Sequence, residues 1–190
     1  MPHAATRLHI ARMLPKNAVG AEIGVWKGEF AATLLEHAAP RKLHLIDPWQ
    51  TREEPEYDQA WYGKACGADM DSVFEEVCAR FASEIASGQV EIHRQPSAIA
   101  MASFPDDALD FVYIDGDHSY DAVRSDLEQA IRKVRRRGAI CVDDHMTGRW
   151  WGDGVVRAVN EILGAYPHAL QMAFCADAQA IILKREEIPG

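Results

Sequence analysis

The chain has 190 residues, of which 48% are hydrophobic and 26% are charged, and this composition suffices for one α/β domain with a single core. Its net charge of −9 at pH 7 argues against a nucleic-acid partner, because proteins that bind phosphate backbones usually concentrate Lys and Arg on one face. The one basic cluster, residues 132–137, is expected at the C-terminus of a helix, where cations interact favourably with the helix dipole.

The cysteines and the apolar runs bear on the compartment. Four cysteines lie scattered without C-x-x-C spacing, which predicts free thiols in a reducing environment. The sequence contains no apolar run of transmembrane length and no signal-peptide pattern at its start. We therefore expect a cytoplasmic protein without a membrane partner.

Strand-like and helix-like patterns alternate along the chain, which predicts a mostly parallel sheet with helices on both faces, in one domain spanning 1–190. The predicted helices cover residues 5–14, 28–37, 70–86, 120–136 and 155–163. The predicted strands end before Gly24 and at Asp47, and further strands cover 90–93, 109–114, 139–142, 169–174 and 178–183. Residues 49–69 have no clear periodicity and are too many for an ordinary connection, so we expect an insertion that acts as a lid.

The first strand runs into a glycine turn, Gly24 to Gly28, where the backbone must bend sharply or approach a ligand closely. The second strand ends at Asp47, where folds of this kind hydrogen-bond a ribose diol. A diphosphate needs a bare backbone at the middle glycine of G-x-G-x-x-G, and Trp26 stands there. The turn therefore favours an adenosine ligand without a diphosphate over NAD or FAD. A tight turn that binds no ligand is the alternative.

Acidic residues follow two strands whose carboxyl ends should be neighbours. Asp115 follows the fourth strand, and Asp143 and Asp144 follow the fifth. Three clustered carboxylates repel one another unless a cation or protons neutralise them, so we expect a metal site. Oxygen ligands favour Mg²⁺ or Ca²⁺, and the adjacent His118 and His145 admit Mn²⁺ or a softer metal. The alternative is that these acids cap helices and face solvent.

The pattern E/D-x-G-x-x-x-G, here Glu22, Gly24 and Gly28, resembles the first motif of the class I S-adenosylmethionine (SAM) dependent methyltransferases. The resemblance implies a Rossmann-like seven-stranded sheet in the order 3-2-1-4-5-7-6, with strand 7 antiparallel, and the hairpin-like finish of the chain suits it. It also implies SAM as cofactor, with Asp47 on the ribose. Ser97 matches the small residue that contacts adenine, although Pro96 stands where the family has an acid.

The acids narrow the resemblance to metal-dependent small-molecule O-methyltransferases, namely the catechol and caffeoyl-CoA type and the macrocin-type enzymes with their cephalosporin-hydroxylase-like relatives. Asp115 and Asp143 match metal ligands, and Asp144 replaces an Asn with an acid, as in the macrocin-like group. His118 takes the place of the catalytic lysine three residues after the first ligand. The resemblance implies metal-assisted O-methylation of a sugar, catechol or natural product, with His118 or His145 accepting the proton, in a homodimer.

Two alternatives from other classes remain open. In a metal-independent methyltransferase, Asp115 and His118 would support only SAM and the substrate. In a non-catalytic Rossmann-like protein, SAM or a nucleotide would bind without turnover. Substrate selection is assigned to the insertion and to the loop 146–151, because both follow strand ends and carry tryptophans. Trp49 is predicted either to cover the adenine or to pack in the core.

Overall fold

A seven-stranded sheet forms the centre of the computed structural model, which describes residues 3–188. The strands are β1 Val19–Ile23, β2 Lys42–Ile46, β3 Val90–His93, β4 Leu109–Ile114, β5 Val134–Val142, β6 Leu170–Ala176 and β7 Gln179–Lys184. Their order is β3-β2-β1-β4-β5-β7-β6, and β7 runs antiparallel to both of its neighbours. The predicted sheet order and the antiparallel seventh strand are confirmed.

Helices cover both faces of the sheet. They are α1 Ala4–Met13, α2 Glu29–His37, α3 Met70–Arg80, α4 Ala82–Ala86, α5 Ser97–Ala102, α6 Tyr120–Lys133 and α7 Gly154–Ala165. Successive side chains of a strand point to opposite faces. Accordingly, Phe111 and Tyr113 of β4 join the core beneath α1, α2 and α3, whereas Val112 and Ile114 join the core beneath α5, α6 and α7.

Two predicted helices are shorter than expected. The helix predicted at 70–86 breaks at Phe81, whose φ of −106° is not helical and whose ring is buried beside Gly28. The helix predicted at 120–136 ends at Lys133, and β5 begins at the next residue. The expectation of a helix C-terminus for the basic cluster 132–137 holds for Arg132 and Lys133, which lie in the last turn of α6. It is wrong for residues 135–137, which lie on β5, where Arg135 donates to Asp110 at 2.5 Å.

Two short elements escaped the sequence patterns. Helix α5 has six residues, too few to show a helical period, and no helix was predicted there. The β6–β7 hairpin turns at Asp177 and Ala178, which have φ values of 50° and 58°, as a two-residue hairpin loop requires. The strands predicted at 169–174 and 178–183 therefore each begin one residue later than predicted, at Leu170 and Gln179.

The insertion 49–69 contains two turns of 3₁₀ helix, Pro55–Tyr57 and Lys64–Cys66, and an isolated bridge between Arg52 and Gly63. Among the residues described, no helix is long and apolar enough to cross a membrane.

Candidate active site

The glycine turn after β1 is packed against the end of β4. Gly24 has a φ of +85°, and a Cβ there would lie 2.0 Å from the backbone oxygen of Asp115. Gly28 has a φ of +71°, caps α2, and a Cβ there would lie 2.6 Å from the Phe81 ring. Only glycine suits these two positions, and the turn is held close to the carboxyl ends of β1 and β4.

Asp47, at the end of β2, fixes the glycine turn. Its Oδ2 accepts hydrogen bonds from the backbone N–H groups of Val25 and Trp26 at 2.9 and 3.0 Å, and its Oδ1 accepts from Trp49 N–H at 2.7 Å. Burial raises the pKa of Asp47, and these N–H groups oppose the rise. Because a carboxylate oxygen can accept two hydrogen bonds, Oδ1 retains one acceptor site for a ligand hydroxyl.

Glu22 lies beneath the turn and is 1% exposed. Its Oε2 is buried and makes no hydrogen bond to any part of the chain between residues 3 and 188. Burial, followed by the charge of Asp115, raises the pKa of Glu22 well above its ordinary value, while Arg7 opposes the rise. A buried carboxyl oxygen without a partner is costly, and it marks the place where a ligand group would be satisfied.

Arg7 is a site residue that sequence reasoning missed. From α1, its guanidinium pairs with the carboxylates of Asp115 and Asp143, and it lies 5.3 Å from the centroid of the Phe30 ring. Burial lowers the pKa of Arg7, but Asp115, Tyr113 and Glu22 raise it by more, so the net shift is upward. The structure thus brings two of the three predicted metal ligands together around a protein cation.

Asp143 is 3% exposed. Its Oδ2 pairs with Arg7, and its Oδ1 accepts two hydrogen bonds. Its Oδ1 accepts from the Asp144 N–H at 2.7 Å and from the side-chain amide of Gln179, whose own oxygen accepts from Tyr113 O–H at 2.8 Å. These bonds orient Asp143 toward Arg7 from the β7 side of the sheet.

His118 lies between two carboxylates. Its Nε2 is 3.6 Å from Oδ1 of Asp115 and 3.5 Å from Oδ2 of Asp144, and its ring stacks on Trp151 with centroids 4.7 Å apart. This Nε2 is buried and makes no hydrogen bond within the described part of the chain. The arrangement provides a nitrogen that can take a proton, beside negative charge that would stabilise the resulting imidazolium.

The second predicted base, His145, contacts a different element. Its backbone N–H donates to the carbonyl oxygen of Ala178 at 2.9 Å. Its ring Nδ1 lies 3.5 Å from Sγ of Cys175, and both partners belong to the β6–β7 hairpin. Burial lowers the pKa of His145. None of its contacts in the described structure joins it to the acids around Arg7, so His118 is the better placed of the two histidines.

Ser97 begins α5 and donates from Oγ to Oδ1 of Asp126 at 2.6 Å. Asp126, on α6, is buried, and burial raises its pKa to about 6 while Ser97 opposes the rise. Sequence reasoning placed Ser97 near adenine but missed Asp126, because nothing in the sequence pairs α5 with α6. The Ser97 hydroxyl is therefore already bonded within the protein.

The insertion reaches the ends of β4 and β5. Tyr57 donates its hydroxyl to Oδ2 of Asp117 at 2.8 Å, and its ring lies 5.3 Å from that of Trp150. Trp49 is 2% exposed and packs edge-on against Phe74, so it belongs to the core and does not form an adenine wall. Trp61, in contrast, is 72% exposed.

The three predicted metal ligands do not form an open metal site in this arrangement. Asp115 and Asp143 both pair with Arg7, and the Asp144 carboxylate lies beside His118. Among residues 3–188, the one set of three His, Cys, Asp or Glu side chains with ligand atoms close enough for a single ion lies elsewhere, on β2 and β3. The acids as they stand do not fit a divalent ion, which would have to displace Arg7.

The sheet order, the glycine turn and the acid at the end of β2 define a class I SAM-dependent methyltransferase fold. The chain belongs to the family described as methyltransferase domain, whose model matches residues 21–145. Among the curated proteins, none matches the chain significantly.

Several solved structures share the fold. The O-methyltransferase NovP is 19% identical with a TM-score of 0.68, covering 95% of this chain and 80% of that one. Cofactor-bound Rv0187 from MTB is 18% identical with a TM-score of 0.65, covering 95% and 78%. The N-methyltransferase NodS from Bradyrhizobium japonicum is 15% identical with a TM-score of 0.58, covering 95% and 94%. Because these names include both O- and N-methyltransferases, the fold leaves the acceptor atom open.

Proposed function

We propose that this protein transfers the methyl group of SAM to a hydroxyl oxygen of a small molecule, with His118 as the proton acceptor. The observation that carries the proposal is the place of His118, whose unbonded Nε2 lies between Asp115 and Asp144 at the carboxyl ends of β4 and β5. In sheets of this kind, ligands bind at the carboxyl ends of the strands. The O-methyltransferase NovP has this fold, so the fold can accommodate a hydroxyl acceptor.

Three groups of the chain suit SAM. The free acceptor site on Oδ1 of Asp47 would take a ribose hydroxyl, and the unpartnered Oε2 of Glu22 would take a proton donor of the methionine portion. The turn from Gly24 to Gly28 leaves the backbone bare beside them. The Ser97 hydroxyl is bonded to Asp126, so we assign an adenine contact to the loop around Ser97 and not to that hydroxyl.

When bound, SAM supplies a methyl group that a sulfonium makes electrophilic. The acceptor oxygen forms a bond to the methyl carbon, the carbon–sulfur bond breaks, and its electron pair stays on sulfur. Nε2 of His118 takes the hydroxyl proton, and the carboxylates of Asp115 and Asp144 stabilise the imidazolium. Tyr57 and Trp150 would close over the acceptor and exclude water, since the insertion meets the loop after β5 there.

Metal assistance by Mg²⁺, Mn²⁺ or Ca²⁺ would require Arg7 to leave Asp115 and Asp143, so that the three carboxylates that follow β4 and β5 could bind the ion. The pairing of Arg7 with Asp115 and Asp143 favours the metal-independent form, because a protein cation already neutralises those acids. Activity that survives exhaustive chelation would identify the metal-independent form. Loss of activity that Mg²⁺ restores would identify the metal-assisted one.

The first experiment is calorimetric titration of SAM and S-adenosylhomocysteine into the purified protein, with NAD as the control ligand. We expect micromolar binding of the SAM pair, none of NAD, and at least tenfold weaker SAM binding to Asp47→Asn. Preference for NAD would overturn the proposal. Labelled SAM with a panel of sugars and catechols then tests turnover, and binding without turnover on any of them would favour the non-catalytic alternative.

A further inference from the structure

Two histidines and a glutamate meet at the edge of the sheet where β3 pairs with β2. His44 on β2 is the register partner of Glu91 on β3, and His93 lies two residues beyond Glu91, so all three side chains share one face. Nδ1 of His44 lies 3.0 Å from Nε2 of His93. The Glu91 carboxylate oxygens lie 3.7 Å from that Nε2 and 4.0 Å from that Nδ1.

We propose that His44, Glu91 and His93 bind a divalent transition-metal ion such as Zn²⁺, at a site separate from the one proposed for methyl transfer. All their ligand atoms lie within 4.8 Å of one another. Two nitrogens bound at about 2.0 Å to a tetrahedral ion are about 3.3 Å apart, close to the separation of the two histidine nitrogens. Glu91 is exposed, so its carboxylate can move the few tenths of an ångström that bonding to the same ion requires.

The donor chemistry selects the ion. Two imidazoles and one carboxylate, with a fourth position open to water, are a donor set that Zn²⁺ uses, whereas Mg²⁺ and Ca²⁺ prefer oxygen ligands alone. Metal ligation needs neutral imidazole. Burial, and then the neighbouring His93, lower the pKa of His44 to about 4, and burial also lowers the pKa of His93.

The remaining neighbours of the cluster are compatible with an ion. Phe104 packs against both rings, with centroids 4.7 Å from His44 and 5.6 Å from His93, and shields them on one side. Lys42 is the one facing cation among the contacts of the cluster, and its Nζ lies 2.7 Å from Oε2 of Glu91. The ion would use Oε1, the oxygen nearer His93, or draw the carboxylate away from this lysine, whose side chain is partly exposed.

The metal site would stabilise β3 at the edge of the sheet, next to the loop around Ser97 to which we assign an adenine contact. β3 is an edge strand that pairs only with β2, and the loop after it leads to Ser97. An ion bound by His44 and His93 would tie β3 to β2 just before that loop. Its function is therefore structural, and it goes beyond the proposed methyl transfer.

Zinc affinity, measured on tag-free protein by competition with a chromophoric chelator, tests the proposal. We expect one equivalent of Zn²⁺ to bind, and His93→Gln to weaken binding at least tenfold. His168→Gln, which changes an exposed histidine elsewhere, is the matched control and should leave the affinity unchanged. Co²⁺ bound to the wild-type protein should give the strong visible absorption of a tetrahedral centre. Zn²⁺ should raise the melting temperature of the wild-type protein.

Glu91→Gln is a second variant, because Glu91 is exposed and the substitution keeps the fold even if His93→Gln does not. It too should weaken zinc binding at least tenfold. Equal zinc affinity in wild type, His93→Gln and Glu91→Gln would overturn the proposal and leave a hydrogen bond between two histidines. Loss of the ion in Asp143→Asn, with affinity retained in His93→Gln, would also overturn it by placing the ion at the candidate active site. Neither result depends on whether SAM binds.

Discussion

At the scale of single residues, Arg7 determines the electrostatics of the candidate active site. Asp115 and Asp143 would repel one another as anions, and Arg7 is the cation that pairs with both. Removing one partner of a buried ion pair leaves an uncompensated charge, which typically costs about 3–5 kcal/mol.

Arg7→Gln should therefore lower the free energy of unfolding by about 3 kcal/mol at neutral pH, measured by urea denaturation. Arg12→Gln, on the exposed side of the same helix, is the control and should change it by less than about 0.5 kcal/mol. Combining Arg7→Gln with Asp143→Asn should recover part of the loss, because the double variant buries fewer unpaired charges. Strictly additive losses would contradict the pairing.

The same arginine and a divalent ion compete for Asp115 and Asp143. We expect Mg²⁺ to bind Arg7→Gln at least tenfold more tightly than wild type in calorimetric titration, since the variant leaves two carboxylates without a counter-ion. The paired variant Arg7→Gln with Asp143→Asn should lose this gain. If Arg7→Gln binds Mg²⁺ no better than wild type, the three acids are not a latent metal site.

His118 is the residue to which we assign proton transfer. His118→Gln should lower kcat about 10²–10⁴-fold while SAM affinity stays the same, because a general base contributes on this order. The exposed His168→Gln should keep full activity. A loss of kcat confined to His145→Gln would instead assign the base to the histidine beside the β6–β7 hairpin.

Residues of the site differed in how well the sequence predicted them. Asp47 and Asp115 follow apolar strands, so their places at the carboxyl ends of β2 and β4 could be predicted from the pattern alone. Arg7 and Asp126 could not, because each pairs with residues far along the chain, and such pairs depend on how helices dock. An arginine on a short helix whose polar and apolar residues are mixed around its circumference carries no signal of its own.

At the scale of elements, the insertion 49–69 is the segment whose structure the sequence specified least. It lacks a hydrophobic period that would predict a helix or a strand, and the structure gives it two 3₁₀ turns and one isolated bridge between Arg52 and Gly63. Its docking depends on Tyr57, whose hydroxyl bonds to Asp117 and whose ring meets Arg52 at 4.3 Å. The insertion therefore rests on the loop that carries His118.

Tyr57→Phe should raise the KM for the acceptor about fivefold, corresponding to one hydrogen bond of about 1 kcal/mol, without changing SAM affinity. Steady-state kinetics at saturating SAM measures the KM for the acceptor. Tyr166→Phe, at the end of α7, is the control and should leave KM unchanged. An unchanged KM in Tyr57→Phe would show that the insertion does not cover the acceptor.

The predicted helix and strand boundaries were wrong where tertiary packing outweighed the local sequence pattern. The break between α3 and α4 comes from burial of Phe81 beside Gly28, a contact between segments that are far apart in sequence. The early start of β5 comes from pairing of Val134 with Leu109 across the sheet. Both choices depend on tertiary neighbours, which no sequence window of about 15 residues contains.

At the scale of the whole molecule, the topology was predictable because two kinds of signal agreed. Alternating strand and helix patterns predicted a parallel sheet, and the two adjacent strands at the end predicted the antiparallel seventh strand. The homodimer implied by the resemblance stays a prediction, which light scattering of the purified protein would test.

The stability of the whole molecule should depend on the protonation of Asp126. Burial raises the pKa of Asp126 from 3.8 to about 6 in the folded state, so the folded protein binds this proton more tightly than the unfolded chain does. This contribution to stability is full below about pH 4 and is lost as the pH rises through about 6, for a total of about 3 kcal/mol.

Asp126→Asn keeps the neutral, hydrogen-bonding form at every pH, so it should remove that loss and gain about 3 kcal/mol relative to wild type between pH 4 and pH 7. Urea denaturation at several pH values measures the difference, and Asp121→Asn, exposed on the same helix, should follow the wild-type profile. Parallel profiles for Asp126→Asn and wild type would mean that Asp126 stays ionised in the fold. Ser97 would then be donating to a carboxylate, and α6 would present a buried negative charge to the loop after β3, close to the proposed adenine.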